Sequence, residues 1–267
     1  HVSMEPDLCY GLVPDLSARV NPGGGCGAYS LTQSLIPGTA FGAACNDEQD
    51  IIISISDAGC ALPATCTITL ILIDNQKPVV SMASDNATVS CPGETDAPPM
   101  MIPIVSDNCA GILDTPQPVV SAKPDCNGIR TYTYSYDDGC GNETEWVFTY
   151  NIVYSGGLTA PMNKSSEVDC LAQATDPGAP DDIMDECGRT VSAVLVGFAD
   201  TPDPFTCNGT RVWTYRYTAC DGATSADWTY TYSIDYQAGL TPPANGSATV
   251  NCVSAATDPG APADIMD

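Results

Sequence analysis

Fourteen cysteines and a single histidine, His1, bound the chemistry open to this chain of 267 residues. Thiols hold zinc in Cys-x-x-Cys pairs or together with several histidines, and neither arrangement occurs, so no metal site is expected from the cysteines. Regularly spaced cysteines in a Gly-, Pro- and Thr-rich chain point instead to disulfides, and hence to an oxidising, extracellular or cell-surface location. The spacing is regular. Cys9, Cys91, Cys170 and Cys252 recur at intervals of 82, 79 and 82 residues. The first three are followed 17 or 18 residues later by Cys26, Cys109 and Cys187. Cys45, Cys126 and Cys207 come third, Cys60, Cys140 and Cys220 fourth, and Cys66 stands outside the series. Other chemistry is thin. There is no Gly-x-Ser-x-Gly and no Gly-rich phosphate loop, and the many carboxylates lie in Pro/Gly loops rather than in a recognisable cleft. No catalytic residue is assigned and the chain is not read as an enzyme.

The net charge of −25 excludes further classes. Binding nucleic acid needs clustered cations, and an anionic membrane surface would repel the chain. The longest apolar runs, Ile51 to Ile55 and Thr67 to Ile73, are too short to cross a bilayer. No signal peptide is present, so an exported protein would be seen here as its processed form or an excerpt. The acidic clusters around Asp181, Asp182, Asp185 and Glu186, and around Asn46, Asp47, Glu48 and Asp50, could ligate Ca²⁺ but lack EF-hand spacing; solvated acidic loops are the expectation. Five sequons, at Asn86, Asn142, Asn163, Asn208 and Asn245, are candidate glycosylation sites, with Asn86, Asn163 and Asn245 recurring just ahead of an opening cysteine.

The elements that carry the cysteines alternate with period two. Tyr132, Tyr134 and Tyr136 fall on one face of an extended chain, and Trp146, Phe148, Tyr150 and Ile152 do the same after a short Asp/Gly/Asn-rich break. This reads as an antiparallel hairpin with an aromatic core stripe. It recurs from Cys207 to Tyr236, and in aliphatic form as Ile51, Ile53 and Ile55 followed by Ile68, Leu70 and Leu72. A repeat of about 80 residues is a small sandwich rather than a solenoid coil. The expected modules are 1–75, 76–155 and 156–237, joined by short, stiff linkers, with 238–267 the start of a fourth. Gly157 to Asp185 and Gly239 to Asp267 agree at 19 of 29 positions.

Asp107-Asn108-Cys109, Cys207-Asn-Gly-Thr-Arg-Val-Trp-Thr-Tyr-Arg-Tyr and Trp228-Thr-Tyr-Thr-Tyr-Ser-Ile together resemble the HYR-like (hyalin-repeat-like) immunoglobulin-type repeats of large bacterial surface proteins. Thr65-Cys66-Thr-Ile-Thr-Leu-Ile-Leu-Ile-Asp-Asn with Pro78 is similar to the closing strand and linker of such a repeat. The resemblance implies an all-β fold of tandem immunoglobulin-like β-sandwich modules with disulfides, extracellular and non-enzymatic. Cysteines at the two ends of one long strand cannot pair, because about 3.3 Å per residue holds them over roughly 20 Å apart. Loops of a sandwich alternate between its ends. The expected pairs are therefore Cys91–Cys126, Cys109–Cys140, Cys170–Cys207 and Cys187–Cys220. In the first module the same rule gives Cys9–Cys45 and Cys26–Cys60 and leaves Cys66 over; alternatively Cys60–Cys66 closes the hairpin. Cys66 and Cys252 are candidates for intermolecular bonds.

Repetition, short linkers and absent catalysis point to a structural subunit of an extracellular filament or surface stalk. Its partners are copies of itself, joined by donating the strand around Ala248 to Val253 to a neighbour. The alternative is an adhesin that binds glycans or a protein through its loops.

Overall fold

The computed structural model describes residues 1–20, 28–57, 64–236 and 243–262. They form two compact units, 1–154 and 155–267. Among the described residues, all regular structure is strand apart from four short 3-10 turns.

The first unit holds two sandwiches. In the first, β1 (Val2–Ser3), β6 (Ala64–Ile73), β5 (Glu48–Asp57) and β3 (Tyr29–Gln33) make one sheet in that order, facing the pair β2 (Gly11–Leu12) and β4 (Ala40–Phe41). In the second, β8 (Asp85–Val89), β13 (Glu143–Ile152), β12 (Gly128–Asp137) and β11 (Val119–Val120) make the large sheet. The small one is β7 (Val79–Val80), β9 (Val105–Asp107) and β10 (Gly111–Ile112). The second unit repeats the plan with β14 (Lys164–Val168), β19 (Ser225–Asp235), β18 (Asn208–Thr218) and β17 (Ala193–Thr201), beside β15 (Ile183–Met184) and β16 (Thr190–Val191).

The period-two pattern fixes the register of the hairpins. Tyr134 stands opposite Trp146, and Tyr215 opposite Trp228. A slip of one residue would turn every ring to solvent. Tyr132, Tyr134, Tyr136 and Trp146 are buried against Val105 and Val80 of the facing sheet. These stripes are core. Their polar tips reach backbone carbonyls: the Trp146 indole donates to Ala83 O at 3.0 Å and the Trp228 indole to Met162 O at 3.0 Å. The first sandwich closes on Ile51, Ile53, Leu70 and Leu72 instead. Leu72 presses so close that a Cβ on Gly42, whose φ is +75°, would lie 2.6 Å from its methyl carbon.

One pairing recurs that local pattern does not announce. The early strand of each module runs parallel to the last: β1 beside β6, β8 beside β13 and β14 beside β19. Each module therefore closes only when its final strand arrives. Residues 243–252 correspond to the stretch that includes β14, but they are in no strand, and from Val253 the chain makes a 3-10 turn. The strand expected over Ala248 to Val253 is not formed, because no last strand lies beside it among the described residues.

Candidate functional site: a stapled junction between modules

The linker Asp74 to Pro78 is bound down rather than free. Asn75 Nδ2 donates to Ser3 Oγ at 3.1 Å, Gln76 Oε1 accepts the Asp7 amide at 2.8 Å, and Gln76 Nε2 donates to Glu5 O at 3.1 Å. From the second module, Asn108 Nδ2 donates to Leu8 O at 3.2 Å and Asn142 Nδ2 to Asp74 O at 3.2 Å. Two disulfides span the same junction. Cys9 bonds Cys109 with Cα atoms 4.8 Å apart, and Cys45 bonds Cys140 at 5.8 Å. Cys9, Cys45 and Cys109 all pack on the aliphatic core of the first module, so the staple extends that core across the boundary.

The same local turn presents Cys109, Cys140 and Cys187. The Cys109 amide donates to Asp107 Oδ1 at 2.8 Å, Cys140 to Asp138 Oδ1 at 2.7 Å and Cys187 to Asp185 Oδ1 at 2.9 Å. This Asp-x-Cys turn is visible in the sequence as an Asp two residues ahead of the thiol, a signal that a search for spacing alone overlooks. Burial works against the Asp138 charge, but the Asn142 amide and the backbone N–H groups of Cys140, Asn142 and Gly141 outweigh it and hold the carboxyl below the usual aspartate value. Asp74 and Asp138, both buried, place carboxylate oxygens within 4.8 Å of each other and of the Cys140 sulfur. That sulfur is spent in the disulfide, which leaves two carboxylates, too few oxygens for a Ca²⁺ shell of about six to eight.

The staples overturn part of the expected pairing. Cys9–Cys45 and Cys109–Cys140 do not form, and Cys170 and Cys207 are both free thiols. The distance between the cysteine-bearing strands accounts for the pairs that do not form. The strands serving Cys9 and Cys45, β1 and β5, lie on either side of β6. β14 and β18, serving Cys170 and Cys207, likewise flank β19. Two strand spacings are roughly 10 Å, beyond the ~7 Å reach of a disulfide. At the opposite end, Cys109 sits in the turn of the small sheet and Cys140 in the hairpin of the large one. Those sheets are again about 10 Å apart. The outgoing end of the first module thus offers two thiols that bond the incoming end of the second module and not each other.

Cys91, Cys126, Cys187 and Cys220 are also disulfide-bonded. Cys66 and Cys252 are free and exposed, so no Cys60–Cys66 bond closes the first hairpin. Cys26 and Cys60 lie outside the described residues.

Of the sequons, Asn86, Asn163, Asn208 and Asn245 are exposed. Asn142 is not a free surface amide: its Nδ2 is half-buried and donates to Asp74 and Asp138. The acidic clusters do not gather into cages. Asp185 is buried and paired with Arg189 at 2.8 Å, Asp47 accepts the amides of Ala43 and Ala44, and Glu48 and Asp50 are spread along β5. No helix among the described residues is long and apolar enough to cross a membrane.

Among solved structures, protocadherin gammaB7 EC3-6 is 13% identical over 77% of this chain and 68% of that one, with a TM-score of 0.28. Mouse protocadherin-24 EC1-3 is 10% identical over 86% and 91%, at 0.25. Likenesses this slight carry no argument. No curated protein matches the chain. The family model for the HYR-like domain with 4 cysteines matches residues 79–152 and again 158–234, modules whose four-stranded sheets share one strand order. Matched in tandem over more than half its length, the chain belongs to the family of HYR-like domains with four cysteines.

Proposed function

We propose that this chain is a structural segment of an extracellular filament or surface stalk, with modules stacked head to tail through stapled ends, and that it is not an enzyme. The pair of disulfides that joins one end of the first module to the opposite end of the second carries this reading. A staple of this kind resists pulling and bending at the boundary, where tandem domains are ordinarily free to move. The acidic surface keeps so long a body soluble and discourages lateral association.

Self-assembly by strand donation is the corresponding mechanism. Residues 246–250, aligned with β14, are exposed and outside any ladder, and β14 itself needs a last strand beside it. A second copy presenting such a strand would complete the sheet, a heterologous contact that propagates. Electron microscopy of the native material tests both levels. Fibres or stalks one module wide are expected, and dispersed short particles would refute the structural reading. Fibres that still form after residues 238–267 are deleted would refute strand donation alone.

One observation favours an adhesive role beside the structural one. Met100, Met101 and Ile104 expose their side chains together in a loop of the second module. Isolated apolar residues on a surface are ordinary, whereas a run of them marks a contact. Binding of the isolated second module to a glycan or protein array, lost on Met100→Ser and Met101→Ser, would support it.

A further inference from the structure

The oxidation state of the cysteines follows their place in the repeat. Cys9 and Cys45, at the outgoing end of the first module, are bonded to the second module. Cys91 and Cys126, at the same two places in the second module, are oxidised as well. Only in the third module are both places reduced: Cys170 is half-exposed and Cys207 exposed. The ladder puts them at one end of one sheet. Val168 pairs with Ile234 and Ile234 with Gly209, and Cys170 lies two residues beyond Val168 while Cys207 lies two residues before Gly209. They emerge on either side of β19, roughly 10 Å apart, too far to bond each other. That is the separation at which the thiols of an incoming module end are set.

We infer that Cys170 and Cys207 form a covalent docking site for the incoming end of another four-cysteine HYR-like module. Cys170 takes the cysteine at the position of Cys109, and Cys207 the one at the position of Cys140. The partner is defined by its chemistry: two thiols, one in each sheet of a sandwich, about 10 Å apart. It can be supplied by the module that follows in the same chain or by a second copy of this chain. Each bond forms as two thiols lose two protons and two electrons. A disulfide oxidant, protein-borne or of low molecular mass, accepts them and is itself cleaved to two thiols.

This goes beyond the filament reading and does not depend on it. Native material is alkylated without reductant, digested, and its linked peptides are identified by mass spectrometry. The expected result is a Cys170 peptide joined to a second-position cysteine and a Cys207 peptide joined to a fourth-position one. A ladder on a non-reducing gel that collapses with reductant identifies a second copy as the source; linked peptides without a ladder identify the same chain. The Cys170→Ser, Cys207→Ser double variant should keep the melting temperature of the wild-type monomer, since neither thiol is bonded within it, and should lose both linked peptides. Recovery of both cysteines alkylated from the native assembly would overturn the inference, as would their linkage to each other. Fibres whose Cys170 and Cys207 are alkylated would overturn it while leaving the structural reading intact.

Discussion

The first and second modules build the same four-stranded sheet from opposite materials. One seals its hairpin with Ile51, Ile53, Leu70 and Leu72, the other with Tyr132, Tyr134, Tyr136 and Trp146. Strand order and the parallel pairing of the early strand with the last are the same in both. Alternation, not side-chain class, therefore selects the topology. What the aromatic version adds is a set of polar tips. The Trp146 indole and the Tyr132 hydroxyl, the latter 2.6 Å from Thr95 O, bind the hairpin to segments that lead into and out of β8. The aliphatic core has no such tips and relies on close packing.

That contrast is broken most severely at Trp146. Trp146→Ala should cost about 4 kcal/mol, combining lost burial, a large cavity and an orphaned Ala83 carbonyl. Ile53→Ala in the first module should cost about 3 kcal/mol with no polar component. Trp146→Phe and Ile53→Val separate the two terms. The first should still cost about 2 kcal/mol because the carbonyl stays unpaired, the second about 1 kcal/mol. Urea unfolding followed by module-resolved hydrogen exchange reads each loss. Equal costs for Trp146→Phe and Ile53→Val would mean that the indole hydrogen bond contributes nothing beyond packing.

The staples should be indifferent to core type. Replacing Cys45 and Cys140 by Ser together opens a loop of 95 residues and should cost about 3 kcal/mol, felt on both sides of the junction. If only the second module loosened, the first would not rely on the staple, and the continuity of its core with Cys109 would be energetically idle.

The sequence made some of this legible and hid the rest for physical reasons. The hairpins, their inward faces and the two ends of each module follow from period-two burial and strand length, both local. The cysteine pairing does not, because it depends on which strand lies between two others. β6 intervenes between the strands of Cys9 and Cys45 only because β1 adds in parallel at long range. The junction roles of Asn108, Asn142 and Gln76 were hidden for a related reason: each is an ordinary polar residue until the neighbouring module supplies its acceptor. The Asp-x-Cys turn was readable, since its two residues lie two apart in sequence and the pair recurs at Cys109, Cys140 and Cys187.

Among the described residues, the third module carries buried or half-buried ion pairs. Arg189 lies on the buried Asp185 and Arg211 on Asp200 at 2.7 Å. Burial opposes the Asp185 charge, yet hydrogen bonds from Arg189 and Cys187 prevail and hold its carboxyl below the usual value near 3.8. A depressed carboxylate contributes stability above its unfolded value, lost as pH falls through the folded one. Melting below pH ~4 should therefore weaken the third module more than the first. Arg189→Ala should abolish most of that difference.

The smallest effect lies at the alkaline end. Burial, followed by the hydrogen bond to Asp176 at 2.5 Å and the charge of that carboxylate, raises the Tyr215 hydroxyl from 10.0 to about 12. A phenol raised on folding favours the native state while it is protonated, fully so below its unfolded value. That contribution is lost as pH rises from 10.0 to about 12. The aliphatic hairpin of the first module has no buried phenol to titrate. With the free thiols alkylated beforehand, so that disulfide exchange does not intervene, the third module should lose melting temperature across this window while the first holds. Tyr215→Phe should flatten much of the alkaline slope at a modest cost near neutrality, since it deletes the donor to Asp176 but keeps the ring opposite Trp228. A slope unchanged by that substitution would locate the alkaline sensitivity elsewhere, with Tyr217 the next group to replace, because burial raises its hydroxyl too.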